Sequence, residues 1–277
     1  MTTLTVHKNL EEIYFPVKQV KAKDFFGYPF PKGRDEIIIT DANESSKVLN
    51  VCSRVYRLVK NQDFIAPIDE EIKRVYGDNV NISVNSEGGS RFFVNWALKE
   101  NLITIANGDT IIPMISAVNS YDGSTKQALT VGFHRLVCTN GLTGASTALR
   151  MKRKHSIKSA NIGMNGIFDK VDGILSGKIG VFQKMLNPIH RSEMDQFIES
   201  ISENKAKLGF PKKLVPGVHR IIEEEAKTLG FKKPNPWLIY NAFNNVLYKA
   251  DTKMRLQTRN EIDKGLFAHI NETFNLN

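Results

Sequence analysis

The spacing of apolar residues changes near residue 160, and this change constrains the fold more than any other feature of the chain. Before it, alternating or β-branched runs are separated by Gly, Asn, Asp and Pro, which is typical of an antiparallel sheet. After it, apolar residues recur at helical intervals. The sequence therefore predicts an α+β protein, with a β-rich core domain and basic arm over 1–160 and a helical domain over 161–277.

Strands are predicted wherever short apolar runs lie between turn residues. These runs are Ile13–Val20, Glu36–Thr40, Val48–Val59, Val80–Val84, Arg91–Leu98, Thr110–Val118 and Leu129–Cys138. Glycine turns at Ser86–Ser90 and Tyr121–Ser124 favour hairpins, so the strands between 80 and 138 are expected to form a meander. One helix, from Pro67 to Tyr76, is expected to cross this sheet.

The run Ser53–Val59 has an irregular pattern for a core strand. Its alternation places Val55 and Arg57 on one face and Tyr56 and Leu58 on the other, which mixes a charge with apolar residues. An edge strand or a functional strand would account for this pattern.

Helices are predicted in the second half from apolar spacing and from their end signals. They span Ile167–Leu186, Ser192–Lys207 with Ser192 as the cap, Pro216–Leu229, a segment that starts at Asn235–Pro236, and Arg255–Phe274. The aromatic and amide residues after Pro236 fall near one stripe, which indicates a packed face.

Positive charge is concentrated between Asp122 and Asp169. These 46 residues contain no aspartate or glutamate, yet they hold +7 of the formal net charge of +9. Such a field attracts polyanions, because each phosphate neutralised by Lys or Arg releases condensed counterions. Nucleic acid is the first partner to consider, and a basic surface that only confers solubility is the alternative.

The residues predicted to contact nucleic acid are the basic side chains of this stretch. They are Lys126, Arg135, Arg150, Lys152, Arg153, Lys154 and Lys158. Four of them lie close together in sequence, namely Arg150, Lys152, Arg153 and Lys154. They are too crowded for one face of a helix, so a loop or an extended arm is expected to carry them. The loop Asn140–Thr147, rich in small and hydroxyl residues, offers backbone N–H groups to phosphate, although a plain turn has the same composition.

Aromatic residues near this stretch provide candidate surfaces for base stacking. The candidates are Tyr56, Tyr121 and Phe133. Burial in the core is the competing interpretation for each of them.

The sequence contains no recognisable catalytic or metal-binding arrangement, so we do not expect an enzyme or a cofactor. His134 and Cys138 lie four residues apart on a predicted strand, about 13 Å by strand rise, which is too far for proton transfer. Cys52 and Cys138 are expected to be buried thiols. The run Glu223–Glu225 is expected to be a solvated helix face, and no metal site is predicted.

Three sequence elements occur together between Asn50 and Ala148. They are the tyrosine in Ser53–Val59, the Asp122–Gly123 hairpin and an Arg-x-Val-Cys-x-Asn element formed by Arg135, Val137, Cys138 and Asn140. With these elements the segment resembles a family of phage- and plasmid-carried proteins built on a domain of unknown function. It implies a role in the DNA metabolism of mobile elements.

Together these features predict a phage- or plasmid-type protein that binds nucleic acid. Single-stranded DNA is the expected partner, with a role in annealing or recombination to which a homo-oligomer would be suited. A factor that binds a host or replication protein is the alternative, and a hydrolase whose catalytic residues form no visible motif is a third possibility. The absence of a long apolar run and of a secretory start predicts a cytoplasmic protein with no membrane partner.

Overall fold

The computed structural model describes residues 4–28, 30–40, 46–99, 102–106, 108–135, 149–156, 168–203, 207–249, 254 and 256–276. It confirms the α+β class: an N-terminal antiparallel sheet with a helix is followed by a mostly helical part. Within these residues, no helix is both long and apolar enough to cross a membrane.

Ten strands lie within the described residues. They are β1 (Leu4–His7), β2 (Val17–Lys21), β3 (Glu36–Thr40), β4 (Val48–Cys52), β5 (Val80–Glu87), β6 (Arg91–Leu98), β7 (Ile103–Ala106), β8 (Asp109–Ser120), β9 (Gln127–Arg135) and β10 (Leu149–Arg153). Hydrogen bonding orders one sheet as β1-β5-β6-β8-β9-β10, with β7 also on β8, and a smaller sheet as β2-β3-β4.

Seven α-helices lie within the same residues. They are α1 (Ala22–Phe26), α2 (Asn61–Tyr76), α3 (Phe168–Lys184), α4 (Arg191–Ser202), α5 (Pro216–Leu229), α6 (Pro236–Lys249) and α7 (Leu256–Thr273). Short 3-10 turns span Glu11–Ile13 and Lys212–Leu214.

The chain forms two compact units, each built from discontinuous segments. The first unit contains residues 1–99, 114–130 and 150–170. The second contains residues 100–113, 131–149 and 171–277.

Strict alternation along β6 organises the core of the first unit. Phe92, Val94, Trp96 and Leu98 are buried, whereas the residues between them are half-exposed. Trp96 and its neighbours face α2, because the Trp96 indole donates a hydrogen bond to Asp69 of that helix at 2.8 Å. The helix that was predicted from Pro67 begins earlier, at Asn61, and includes Pro67 within its length.

The segment after β4 differs from the prediction, because the strand ends at Cys52 and does not continue to Val59. Side chains replace the strand ladder there. The Gln19 amide donates to the Tyr56 carbonyl and accepts from the Leu58 N–H, both at 3.2 Å. Asn119 donates to the Val59 carbonyl at 3.0 Å. The irregular pattern of this segment therefore reflects a loop held by the side-chain amides of Gln19 and Asn119.

Aromatic packing forms the core of the second unit. Phe182 of α3 meets Trp237 of α6 and Phe267 of α7 edge-on, with ring centroids 5.3 and 6.0 Å away. Helix α5 has the predicted bounds and ends at Gly230, whose φ of 71° is left-handed. The cap of α4 is His190 rather than Ser192, since the His190 N–H donates to the Glu193 carboxylate at 2.6 Å.

Candidate nucleic-acid interface

Two of the predicted basic residues are on the surface, one on strand β10 and one directly after it. Lys152 and Lys154 are exposed, and Arg153 between them is only 9% exposed, as alternation along an extended chain requires. Lys126, in the turn before β9, is also exposed. Residues 149–153 of the basic stretch thus belong to the sheet, with β10 at the end of the strand order, whereas Lys126 and Lys154 lie just outside strands.

Arg135 does not belong to this surface, which corrects the prediction for that residue. Its side chain is 0% exposed and donates to Asp109 and to Glu225, with nitrogen–oxygen distances of 2.7 and 2.9 Å. The guanidinium also lies 5.7 Å from the centre of the Trp237 ring. A side chain enclosed in this way cannot reach a phosphate.

Of the other predicted basic residues, Arg153 is nearly buried, and Arg150 and Lys158 have side chains outside the part of the chain that the structure describes. Burial, followed by the nearby charge of Arg57, lowers the pKa of Arg153. The backbone of Arg150 belongs to β10, but its side chain lies outside the described part of the structure. Lys158, Cys138 and the loop Asn140–Thr147 lie outside it as well.

Tyr56 stacks on His155 in the first unit. The ring centroids are 5.2 Å apart and the planes differ by 6°. The Tyr56 hydroxyl donates to the Ser120 carbonyl at 3.2 Å, and burial is the main cause that raises its pKa. One face of the Tyr56 ring is therefore covered by the protein itself.

His155, which follows β10, lies close to the loop after β4 and to the turn between β8 and β9. Burial lowers its pKa most strongly, while the Arg57 carbonyl and the Asp122 carboxylate act in the opposite direction. The segment that follows β10 consequently lies against the loop after β4 and near the turn between β8 and β9.

The two remaining stacking candidates are core residues, so the prediction that they contact bases is wrong. Tyr121 is 0% exposed, packs against Phe15 and Phe92, and accepts a hydrogen bond from the Asn61 N–H at 2.8 Å. Phe133 is also 0% exposed and meets Phe182 edge-on at 5.3 Å. Burial leaves neither ring face available to a base.

Arg57 is an exposed basic residue that the prediction did not include among the contacts. Its position interrupts the apolar alternation of Ser53–Val59, and this interruption is the sequence signal that identifies it. We use the name arm site for Arg57, Lys126, Lys152 and Lys154 together with the Tyr56–His155 stack. These four cations are exposed, and exposed cations can hold phosphates by charge.

The described residues contain no cluster of three or more His, Cys, Asp or Glu side chains that could hold a metal ion. Cys52 is a buried free thiol, and burial followed by Glu36 and Asp35 raises its pKa to about 11. Glu225 differs from the predicted solvated face, because its side chain is 13% exposed and paired with Arg135. Burial is the main cause that raises the pKa of Glu225.

Comparison with known proteins supplies a family. Searches of curated proteins and of solved structures returned no match. The family DUF932, described as a domain of unknown function, matches residues 48–210, which is more than half of the chain. This segment includes the Tyr56–His155 stack and all four cations of the arm site. The chain therefore belongs to the DUF932 family.

Proposed function

We propose that this protein binds nucleic acid through the arm site, with a preference for single-stranded DNA. The observation that carries the proposal is the pair Lys152, exposed on the end strand β10, and Lys154, exposed directly after it, within a 46-residue stretch free of acidic residues. The charge concentration seen in the sequence is therefore accessible at these positions.

Electrostatics supports the partner class. Each lysine that neutralises a phosphate releases a counterion, so affinity should fall steeply as salt rises. The Asp122 carboxylate acts electrostatically on both rings of the stack, and it is engaged by the Ser90 hydroxyl at 3.0 Å and by Arg91 at 3.5 Å. Its charge is thereby partly compensated locally.

The kinds of element at the arm site support the preference for a single strand. Arg57 lies on a loop, Lys126 on a turn and Lys152 on a strand. Readers of the duplex major groove usually insert a helix, and none of the arm-site residues lies on one. A sheet edge with basic side chains is better suited to tracking one flexible backbone.

The biological setting is part of the same proposal. The resemblance to phage- and plasmid-carried proteins favours a role in annealing or recombination of mobile-element DNA in the cytoplasm. Annealing requires two strands to be held close together, and assembly of several copies would serve that purpose.

Fluorescence anisotropy with labelled single- and double-stranded oligonucleotides at two salt concentrations tests the proposal. The double variant Lys152→Ala and Lys154→Ala should weaken binding across sequences and reduce the salt slope by about 0.7 per lost contact. The matched control is Lys212→Ala with Lys213→Ala, which removes two exposed lysines from a 3-10 turn in the second unit. Equal weakening by both double variants would contradict the proposed site.

A protein partner is the second candidate, and strand β1 is the observation that favours it. Leu4 and Val6 are 63% and 74% exposed on this end strand. Exposed apolar strands can pair with another chain. Wild-type protein that shows no salt-dependent oligonucleotide binding would leave this candidate ahead.

A further inference from the structure

Four aromatic rings cluster in the first unit, on the segment between β2 and β3. This segment precedes every residue of the arm site in the sequence. Phe26 and Phe30 stack with centroids 5.0 Å apart and planes 28° apart. Tyr28 stacks on Phe30 at 5.8 Å and 12°, and Phe25 meets Phe26 edge-on at 4.9 Å. We call these four residues the aromatic patch.

The patch has an anchored inner layer and a displayed outer layer. Phe26 and Phe30 are half-buried and pack on the small core formed by Ala22, Ile37 and Ile39. Phe25 and Tyr28 are 39% and 57% exposed. Gly27, with a φ of 77°, ends α1 and turns the chain between them. The exposed rings of Phe25 and Tyr28 are therefore positioned by their contacts with Phe26 and Phe30 in the protein alone.

Exposed basic side chains accompany the patch on the same short segment. They are Lys18, Lys21, Lys23, Lys32 and Arg34. Asp24 is the one acidic residue between Val17 and Arg34. Of the two acids that follow, Asp35 pairs with Arg54, and Glu36 accepts a hydrogen bond from Gln19. The patch is thus an aromatic surface on a segment with an excess of exposed positive charge.

We propose that the aromatic patch is a second binding surface for single-stranded nucleic acid, with bases on Tyr28 and Phe25 and phosphates on the surrounding lysines. The inference rests on the proposed function, because it assumes that the protein binds nucleic acid. It extends that function to residues outside the arm site and outside the segment matched by the family.

Charge selects this occupant over an apolar protein segment. Exposed rings alone fit either partner, whereas five cations against three acids over residues 17–36, one of the acids paired with Arg54, favour a polyanion. Stacking selects a single strand, because the π-face of a base becomes accessible only when the base is unpaired and splayed out. The exposed rings would stack on bases, and the exposed cations of the same segment would bind phosphates.

Affinity measurements on ring variants test the patch. Tyr28→Ala should weaken binding of a single-stranded oligonucleotide by about 5- to 150-fold, the range expected for one lost base–aromatic contact. Tyr28→Phe, which keeps the ring, should bind like the wild type. Circular dichroism and urea unfolding should be unchanged in both variants, since this side chain is more than half exposed.

Fluorescence provides a local readout. Trp96 and Trp237 are 0% exposed and are the two tryptophans of the chain. In the variant Tyr28→Trp, added single-stranded DNA should quench emission beyond the wild-type response, and duplex DNA should not. Quenching by an apolar peptide, together with no quenching by DNA, would instead identify a protein-docking surface and overturn the proposal.

The outcomes separate the two proposals. Wild-type protein that binds no oligonucleotide defeats both. Binding that weakens in the Lys152 and Lys154 variant, but is unchanged in Tyr28→Ala and unquenched in Tyr28→Trp, defeats the patch alone. Binding that weakens only in Tyr28→Ala supports the patch and removes the arm site.

Discussion

Arg135 donates hydrogen bonds to both carboxylate oxygens of Asp109, through Nε to Oδ1 at 2.8 Å and through Nη2 to Oδ2 at 2.7 Å, and neither side chain is exposed. The Trp237 indole donates to the same carboxylate at 2.7 Å. The arginine of the Arg-x-Val-Cys-x-Asn element therefore fastens the end of β9 to the start of β8 within the second unit. Its role in this structure is to hold the fold.

Arg135→Met should destabilise the protein strongly. Removing the guanidinium leaves Asp109 buried without its charge partner, which typically costs about 3–5 kcal/mol. Urea unfolding followed by circular dichroism measures the change. Arg191→Met is the matched control, because Arg191 and Glu223 form a pair whose side chains are 70% and 64% exposed. That pair should contribute at most about 1 kcal/mol, and similar losses in the two variants would contradict the buried-pair interpretation.

Tyr121→Phe should lower stability without changing oligonucleotide affinity per folded molecule. The Tyr121 hydroxyl accepts the buried Asn61 N–H at 2.8 Å, and its removal leaves that N–H without a partner, at a cost of about 1–3 kcal/mol. Urea unfolding and anisotropy are measured on the same preparation. A large loss of affinity at unchanged stability would return Tyr121 to the list of base contacts.

Mild acid should weaken the fold through His155. Burial lowers its folded-state pKa below the ordinary value near 6.5, so the unfolded chain takes up a proton more readily. The stability of the neutral, stacked form is present above that ordinary value and is lost as pH falls below it. His155→Phe keeps a ring against Tyr56 but cannot titrate.

The urea midpoint should therefore drop more in the wild type than in His155→Phe between about pH 7.5 and about pH 5.5. Parallel curves for the two proteins would show that His155 does not control this loss.

Cys52 should react slowly with a thiol-specific reagent in the folded protein. Burial raises its pKa to about 11, so little of the reactive thiolate exists near neutral pH. The background for the measurement is Cys138→Ser, which leaves Cys52 as the only cysteine. Reaction should become fast in denaturant, and equal rates in the native and denatured states would contradict a buried thiol.

Elements with a strong local pattern could be predicted because their periodicity depends on neighbours in the chain. Strand β6 and helix α5 have the predicted bounds. The run after Cys52 has a strand-like composition, but amides from Gln19 and Asn119 take its backbone hydrogen bonds. Those residues lie far away in sequence, so no local pattern could reveal the change from strand to loop.

The candidate site shows the same division. The α+β class and the concentration of positive charge between Asp122 and Asp169 could be read from the amino-acid sequence, because periodicity and composition are local properties. Which of these charges are accessible depends on the folded chain. Lys152 and Arg135 carry the same sequence signal, yet Arg135 meets Asp109, 26 residues away, and Glu225, 90 residues away. Burial depends on such long-range contacts, and they separate a surface cation from a buried one.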